Sequence, residues 1–133
     1  MSRYPLPDVM RTSATAPLMI DEVAVPNTGG IIGMTICPGK KDRARNWDRN
    51  LAKDLGAIKN WGATIVVSLM EEFEFDLLGV PDLGQQVEAL GLVWYHLPIE
   101  DVSVPGPEFE HQWRWVCHEV HACLSGGGRV LIQ

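Results

Sequence analysis

A chain of 133 residues, 46% of them hydrophobic, holds enough apolar material for one domain with a single core. The formal charge of −6, with basic residues scattered except for Lys40, Lys41, Arg43 and Arg45, argues against nucleic acid or an anionic membrane as the main partner. Prolines and polar residues break the first twenty positions where a signal peptide needs an apolar stretch, and no apolar run approaches membrane-spanning length.

Residues 1–16 are rich in Pro, Ser and Thr, which predicts a flexible N-terminal arm ahead of a domain over 17–133. Leu18 to Val25 and Ile31 to Ile36 read as strands around the turn Pro26-Asn27-Thr28-Gly29-Gly30. Asn46 to Trp61 reads as a helix, because Trp47, Leu51, Leu55 and Ile58 recur at helical spacing and Gly62 stops it. Ala63 to Leu69 is a β-branched run of the kind buried on both faces of a sheet. A short helix over Asp82 to Leu90 ends at Gly91, and the strand Leu92 to Leu97 is closed by Pro98. Glu108 to Leu124 is a long helix, with Phe109, Trp113, Val116, Val120 and Cys123 or Leu124 as its core stripe. Arg129 begins a last strand after the glycine break at 126–128.

Strands alternating with helices imply a mostly parallel central sheet flanked by helices. Ligands of such sheets bind beyond the carboxyl ends of the strands, so chemistry is expected after Ile36, Leu69, Leu97 and Ile132. The loop from Pro98 to Pro107 carries Glu100 and Asp101, with prolines that limit its shapes and Gly106 as a hinge. It suits a flap bearing an acid, although Asp101 could equally begin a turn before the following helix. Three cysteines, Cys37, Cys117 and Cys123, show no metal spacing and leave an odd thiol in any pairing, which favours a reducing cytoplasm. Cys117 and His121 share a helix face, yet His111, His118 and His121 lack convergent partners, so neither metal nor cofactor is expected.

Cys37 and Arg43 stand five residues apart between a strand and a helix, the spacing of a phosphate cradle around a thiolate. Pro38 removes an amide that such a cradle needs, and Ala44 stands where a hydroxyl would hold the thiolate. The competing reading is a structural turn with a basic rim.

Taken in order, GGIIGMTICPGKKDR, WDRNLAKDLGAIKNWGATIVVSLMEEFE, GVPDLGQQVEALGLVWYHLPIEDVSVP and GGGRVLIQ resemble one branch of the protein tyrosine phosphatase superfamily, the dual-specificity, kinase-associated type. The resemblance runs over residues 24–133 and implies a phosphatase-like α/β fold. It makes Asp101 the general acid and Glu100 the lesser contender. It also gives Gln133 the place of the usual His before a Cys-x-x-Gly-x-x-Arg loop, and treats Pro38-Gly39 as a family turn rather than a nucleophile loop. Because that loop and the helices after it are not among these residues, the resemblance implies an incomplete domain, inactive alone, from a phosphatase acting on phosphorylated proteins or other phosphomonoesters. Two alternatives stand beside it: a non-catalytic binding module, and a low-molecular-weight-like phosphatase using Cys37 and Arg43. Oligomeric state is not legible in these residues.

Overall fold

The structure, a computed structural model, describes residues 4, 9–99 and 107–133, the side chains of 108 and 109 excepted. Seven strands and four helices follow in the order β1 (Asp21–Ala24), β2 (Ile31–Met34), β3 (Lys41–Asp42), β4 (Trp47–Asp48), α1 (Leu51–Trp61), β5 (Ala63–Ser68), α2 (Glu72–Leu77), α3 (Leu83–Ala89), β6 (Val93–His96), α4 (Pro107–Ser125) and β7 (Arg129–Ile132). The main sheet runs β1-β2-β7-β5-β6. Its β1–β2 pair is antiparallel, and β2–β7, β7–β5 and β5–β6 are parallel. The mostly parallel sheet expected from the sequence is what forms.

Side chains alternate across the central strands and so feed two cores. Val66 and Leu131 point to a core closed by Leu55 and Ile58 of α1, Phe75 of α2, and Leu83 and Val87 of α3. Ile65, Val67 and Val130 point the other way, to Val116 and Leu124 of α4 and to Leu97. Each fully buried Val or Leu contributes about 1.5–3 kcal/mol, so the middle strands carry much of the driving force. Among the described residues, three helices therefore cover one face and α4 alone covers the other, where Ile32, Tyr95 and Ile132 stay only partly buried.

Helix α1 begins later than its hydrophobic spacing suggests. Asn50 caps it, its side-chain oxygen accepting from the Lys53 amide at 2.8 Å, and Gly62 ends it in a left-handed conformation. Trp47 thus lies in β4, not on the helix, and packs beneath Arg11, whose guanidinium stands 3.8 Å above the indole ring. Helix α2 was not foreseen: Glu71 and Glu74 close a reciprocal capping box around a six-residue turn that buries only Phe75. On α4, Trp113 does not join the core stripe; it is 40% exposed, and Val116 and Leu124 bear the contact instead.

The expected arm is bound where it is described. Arg11 donates its amide to the Asn46 carbonyl and accepts from the Asp48 amide. Ser13 reaches a buried ion pair. Arg49 and Asp54 meet through two hydrogen bonds of 2.8 and 3.1 Å with both side chains almost fully buried. The same carboxylate accepts from Ser13 Oγ at 2.8 Å and from the Gly39 amide at 2.9 Å. Gly39 must be glycine there: its φ is +71° and a Cβ would stand 2.7 Å from Leu51. Four segments, namely the arm, the loop after β2, the end of β4 and α1, thus converge on one carboxylate.

Asp54→Ala should lower the unfolding free energy by about 3–5 kcal/mol, the usual cost of leaving one buried charge unpaired. Replacing both partners, as in Arg49→Met with Asp54→Leu, should cost clearly less. Urea unfolding of the three variants checks this. Equal losses in single and double variants would mean that packing, and not the pair, holds the four segments.

Candidate functional site

The carboxyl edge of the sheet is built around the end of β5. The Leu69 amide donates to the Gln133 carbonyl at 2.9 Å, and the Leu69 carbonyl accepts from the Ile99 amide at 3.0 Å. One residue therefore fixes both the end of β7 and the start of the loop that follows β6. Further out, the Thr35 amide donates to the Ile132 carbonyl at 3.1 Å, which ties in the end of β2.

Beneath this edge lies a cluster of polar and aromatic side chains on the α1–α3 side. Ser68 Oγ is fully buried; it accepts from Trp94 Nε1 at 2.9 Å and meets the side-chain amide of Gln133. Gln133 Oε1 is buried with no partner among the described residues. His96, two positions along β6 from Trp94, stacks on it at 5.5 Å with an interplanar angle of 13°. Phe75 stands edge-on to the same imidazole at 5.2 Å, and His96 Nε2 contacts the Met70 carbonyl at 2.6 Å. A ring nitrogen facing a carbonyl must carry the proton, so Nε2 is the protonated position. Gly84 makes room for Trp94, since a Cβ there would come within 2.5 Å of the indole. Sequence reading missed Ser68, Trp94 and His96 as a unit; the alternate spacing of Trp94 and His96 on one strand was the available signal.

Glu100 and Asp101 lie outside the described residues, so no geometry is assigned to either. The described chain reaches Ile99 before them and resumes at Pro107.

Cys37 is placed unlike a nucleophile. It belongs to the core with Leu55, Val66 and Leu131, and its thiol faces the Pro38 carbonyl at 3.5 Å. Burial pushes its pKa up to about 12; Lys40 opposes the rise, while Asp54 and Glu74 add to it. The loop amides are also spoken for: Gly39 donates to Asp54, Lys40 to the Cys37 carbonyl and Lys41 to the Leu78 carbonyl. Arg43 sits exposed in a single 3-10 turn. Cys37 and Arg43 therefore form no phosphate cradle, and the low-molecular-weight-like alternative loses its site.

On α4, Cys117 and Cys123 are partly buried, while Arg114, His118 and His121 are exposed. Among the described residues no three of His, Cys, Asp or Glu converge as metal ligands, and no helix is long and apolar enough to cross a membrane.

No protein-family model matches the sequence. The chain is 27% identical over 107 residues to cyclin-dependent kinase inhibitor 3 of Mus musculus, which covers 80% of this chain and 48% of that protein. A crystal structure of kinase associated phosphatase, with a serine in place of its catalytic cysteine, superposes with a TM-score of 0.77. That match, at 24% identity, covers 88% of this chain and 64% of the other. The chain is thus similar in sequence to this kinase inhibitor and shares the fold of kinase associated phosphatase. It spans about half the length of the curated relative it matches. In this chain the Pro38-Gly39 turn serves the core and the buried pair, and Cys37 is packing.

Thiol labelling of the native chain at pH 8 should therefore modify Cys117 and Cys123 well before Cys37. At a pKa near 12 only about one Cys37 in ten thousand is a thiolate at that pH, against about one in ten for an ordinary thiol. Peptide mapping after timed alkylation reads the order. A Cys37 that reacts first would mean that its thiol is exposed and activated.

Proposed function

We propose that this chain supplies the general-acid part of a cysteine-dependent phosphatase site, acting on phosphoproteins carrying phosphotyrosine or phosphoserine/threonine. The observation that carries the reading is the pair of bonds made by Leu69. They set the end of β7 one strand away from Ile99, the last described residue before Glu100 and Asp101. In this reading a loop of the pattern Cys-x-x-Gly-x-x-Arg follows β7, where Gln133 leaves the sheet. Its thiolate attacks phosphorus, and the bond to the leaving oxygen breaks. Asp101 gives its proton to that oxygen, because an unprotonated alkoxide or phenolate is a poor leaving group. Loop amides and the Arg would hold the equatorial oxygens. Relatives whose names tie them to kinases favour a phosphorylated protein as substrate.

A second reading has one observation in its favour. The Cys37 thiol within these 133 residues is buried and held neutral, and without a thiolate there is no covalent intermediate. The 133 residues alone then act as a binding module through the surface around the Asp101 loop.

Two measurements separate these. The 133-residue chain should turn over no aryl phosphate above a blank, and Cys37→Ser should change nothing. In a protein that continues past Gln133 with the family loop and its following helices, Asp101→Asn should lower turnover by about two to four orders of magnitude on poor leaving groups. The loss should shrink on activated aryl phosphates, and the alkaline limb of the pH profile should flatten, since that limb reports deprotonation of the acid. Glu100→Gln should do much less. A larger loss from Glu100→Gln, or silence from Asp101→Asn, would remove Asp101 from the role.

A further inference from the structure

Helix α2 sends Phe75 into the core and turns its opposite face outward. Phe75 is 6% exposed, while Phe73 and Leu77, one turn apart, are 58% and 72% exposed. Exposed Glu72 and Asp76, also one turn apart, form the column beside them. Single exposed apolar side chains are ordinary on a protein surface, whereas an adjoining pair rimmed by polar groups marks a contact surface.

The charge that this part of the chain supplies has one sign. From Asn60 to Trp113, a stretch that holds α2, α3 and β6, the sequence has no Lys or Arg. Lysines from outside the stretch are engaged elsewhere. Lys41 lies along Gly79 just past α2, but its ammonium donates to the Arg49 carbonyl at 2.7 Å and to Asp48 at 3.2 Å. Lys40 stands over the Trp47 ring at 5.2 Å, and Lys59 donates to the Leu90 carbonyl, just past α3, at 3.0 Å. Among the described residues neither Glu72 nor Asp76 forms an ion pair.

We infer that the outer face of α2 docks a protein segment in which apolar side chains alternate with Lys or Arg. Charge complementarity selects this occupant. Two carboxylates without a cation beside an apolar pair attract a basic segment, and they repel an acidic one or an anionic membrane. Phe73 and Leu77 supply the apolar contact, while Glu72 and Asp76 decide which partner is accepted. The inference stands apart from the phosphatase reading, and its test measures no turnover.

Fluorescence polarisation of a labelled synthetic peptide of repeated Leu-Leu-Lys-Lys units tests it on the 133-residue chain. The peptide should bind. Phe73→Ser with Leu77→Ser, and Glu72→Lys with Asp76→Lys, should each weaken binding by at least about tenfold. Glu88→Lys, which reverses an exposed acid on α3, should leave binding nearly unchanged. The variant with lysines at 72 and 76 should instead take up a Leu-Leu-Glu-Glu peptide that the unaltered chain rejects. All of these positions are exposed, and circular dichroism confirms that the variants keep the fold. Absence of binding overturns the proposal. So does a loss from Glu88→Lys as large as that from the α2 acids, since the peptide would then read only overall charge. Indifference to the Phe73 and Leu77 substitutions would do the same. Self-association of the unaltered chain in sedimentation velocity, abolished by the α2 substitutions, would make a second copy the occupant and overturn the basic segment in that place.

Discussion

Strand β7 joins two halves that, among the described residues, have no other hydrogen-bonded link within the main sheet. It pairs with β2 on one side and β5 on the other, and Val130 and Leu131 fill one core each. Remove it and the β1–β2 hairpin separates from the β5–β6 pair. Every strand pairing that β7 makes is also long in sequence, since Ile31 pairs with Arg129 and Ala63 with the same residue. Closing such loops costs entropy before burial repays it, so the sheet completes only when its most distant segment arrives. The carboxyl edge inherits this dependence. The bond that Leu69 makes to Gln133 exists only if β7 is seated.

The second organising centre is polar. The Asp54 carboxylate gathers Arg49, Ser13 and the Gly39 amide in a site that water scarcely reaches. A buried ion pair on its own adds little net stability, because desolvating both charges offsets their attraction. Its consequence is geometric: few other arrangements satisfy all the donors at once. The loop after β2 cannot move without uncovering a charge, which is why Cys37 stays locked in the core with its thiol neutral.

The parts of the fold that were legible in the sequence are those governed by periodicity. The run Ala63 to Ser68 and the strand from Arg129 are dominated by burial, and burial leaves a pattern. Where a hydrogen bond decides, the pattern misleads. Trp47 keeps helical spacing with Leu51, but Asn50 caps the helix after it and Arg11 claims the indole for a ribbon strand. Helix α2 escaped notice because its six residues bury one side chain, too few to show a period. Trp113 looked like core because it is large and apolar, although a helix can place such a residue at its rim. At the site, the edge of the sheet and the unsuitability of Cys37 were legible from strand order and from Pro38. The Ser68, Trp94 and His96 cluster was not, since its members come together only through the parallel β5–β6 register.

The anchored arm changes how the domain would answer a mechanical load. Main-sheet pairing begins at Asp21, yet tension entering from the amino end meets Tyr4, held by Met19 and Trp47, and then Arg11 and Ser13. There it meets backbone bonds to the ribbon, a cation held on an indole and a hydroxyl held by a buried carboxylate. Those attachments lead into the first turn of α1 and only then into the sheet. The antiparallel β1–β2 hairpin is thereby shielded from being unzipped strand by strand, and the ribbon and α1 must yield before the central strands feel the pull.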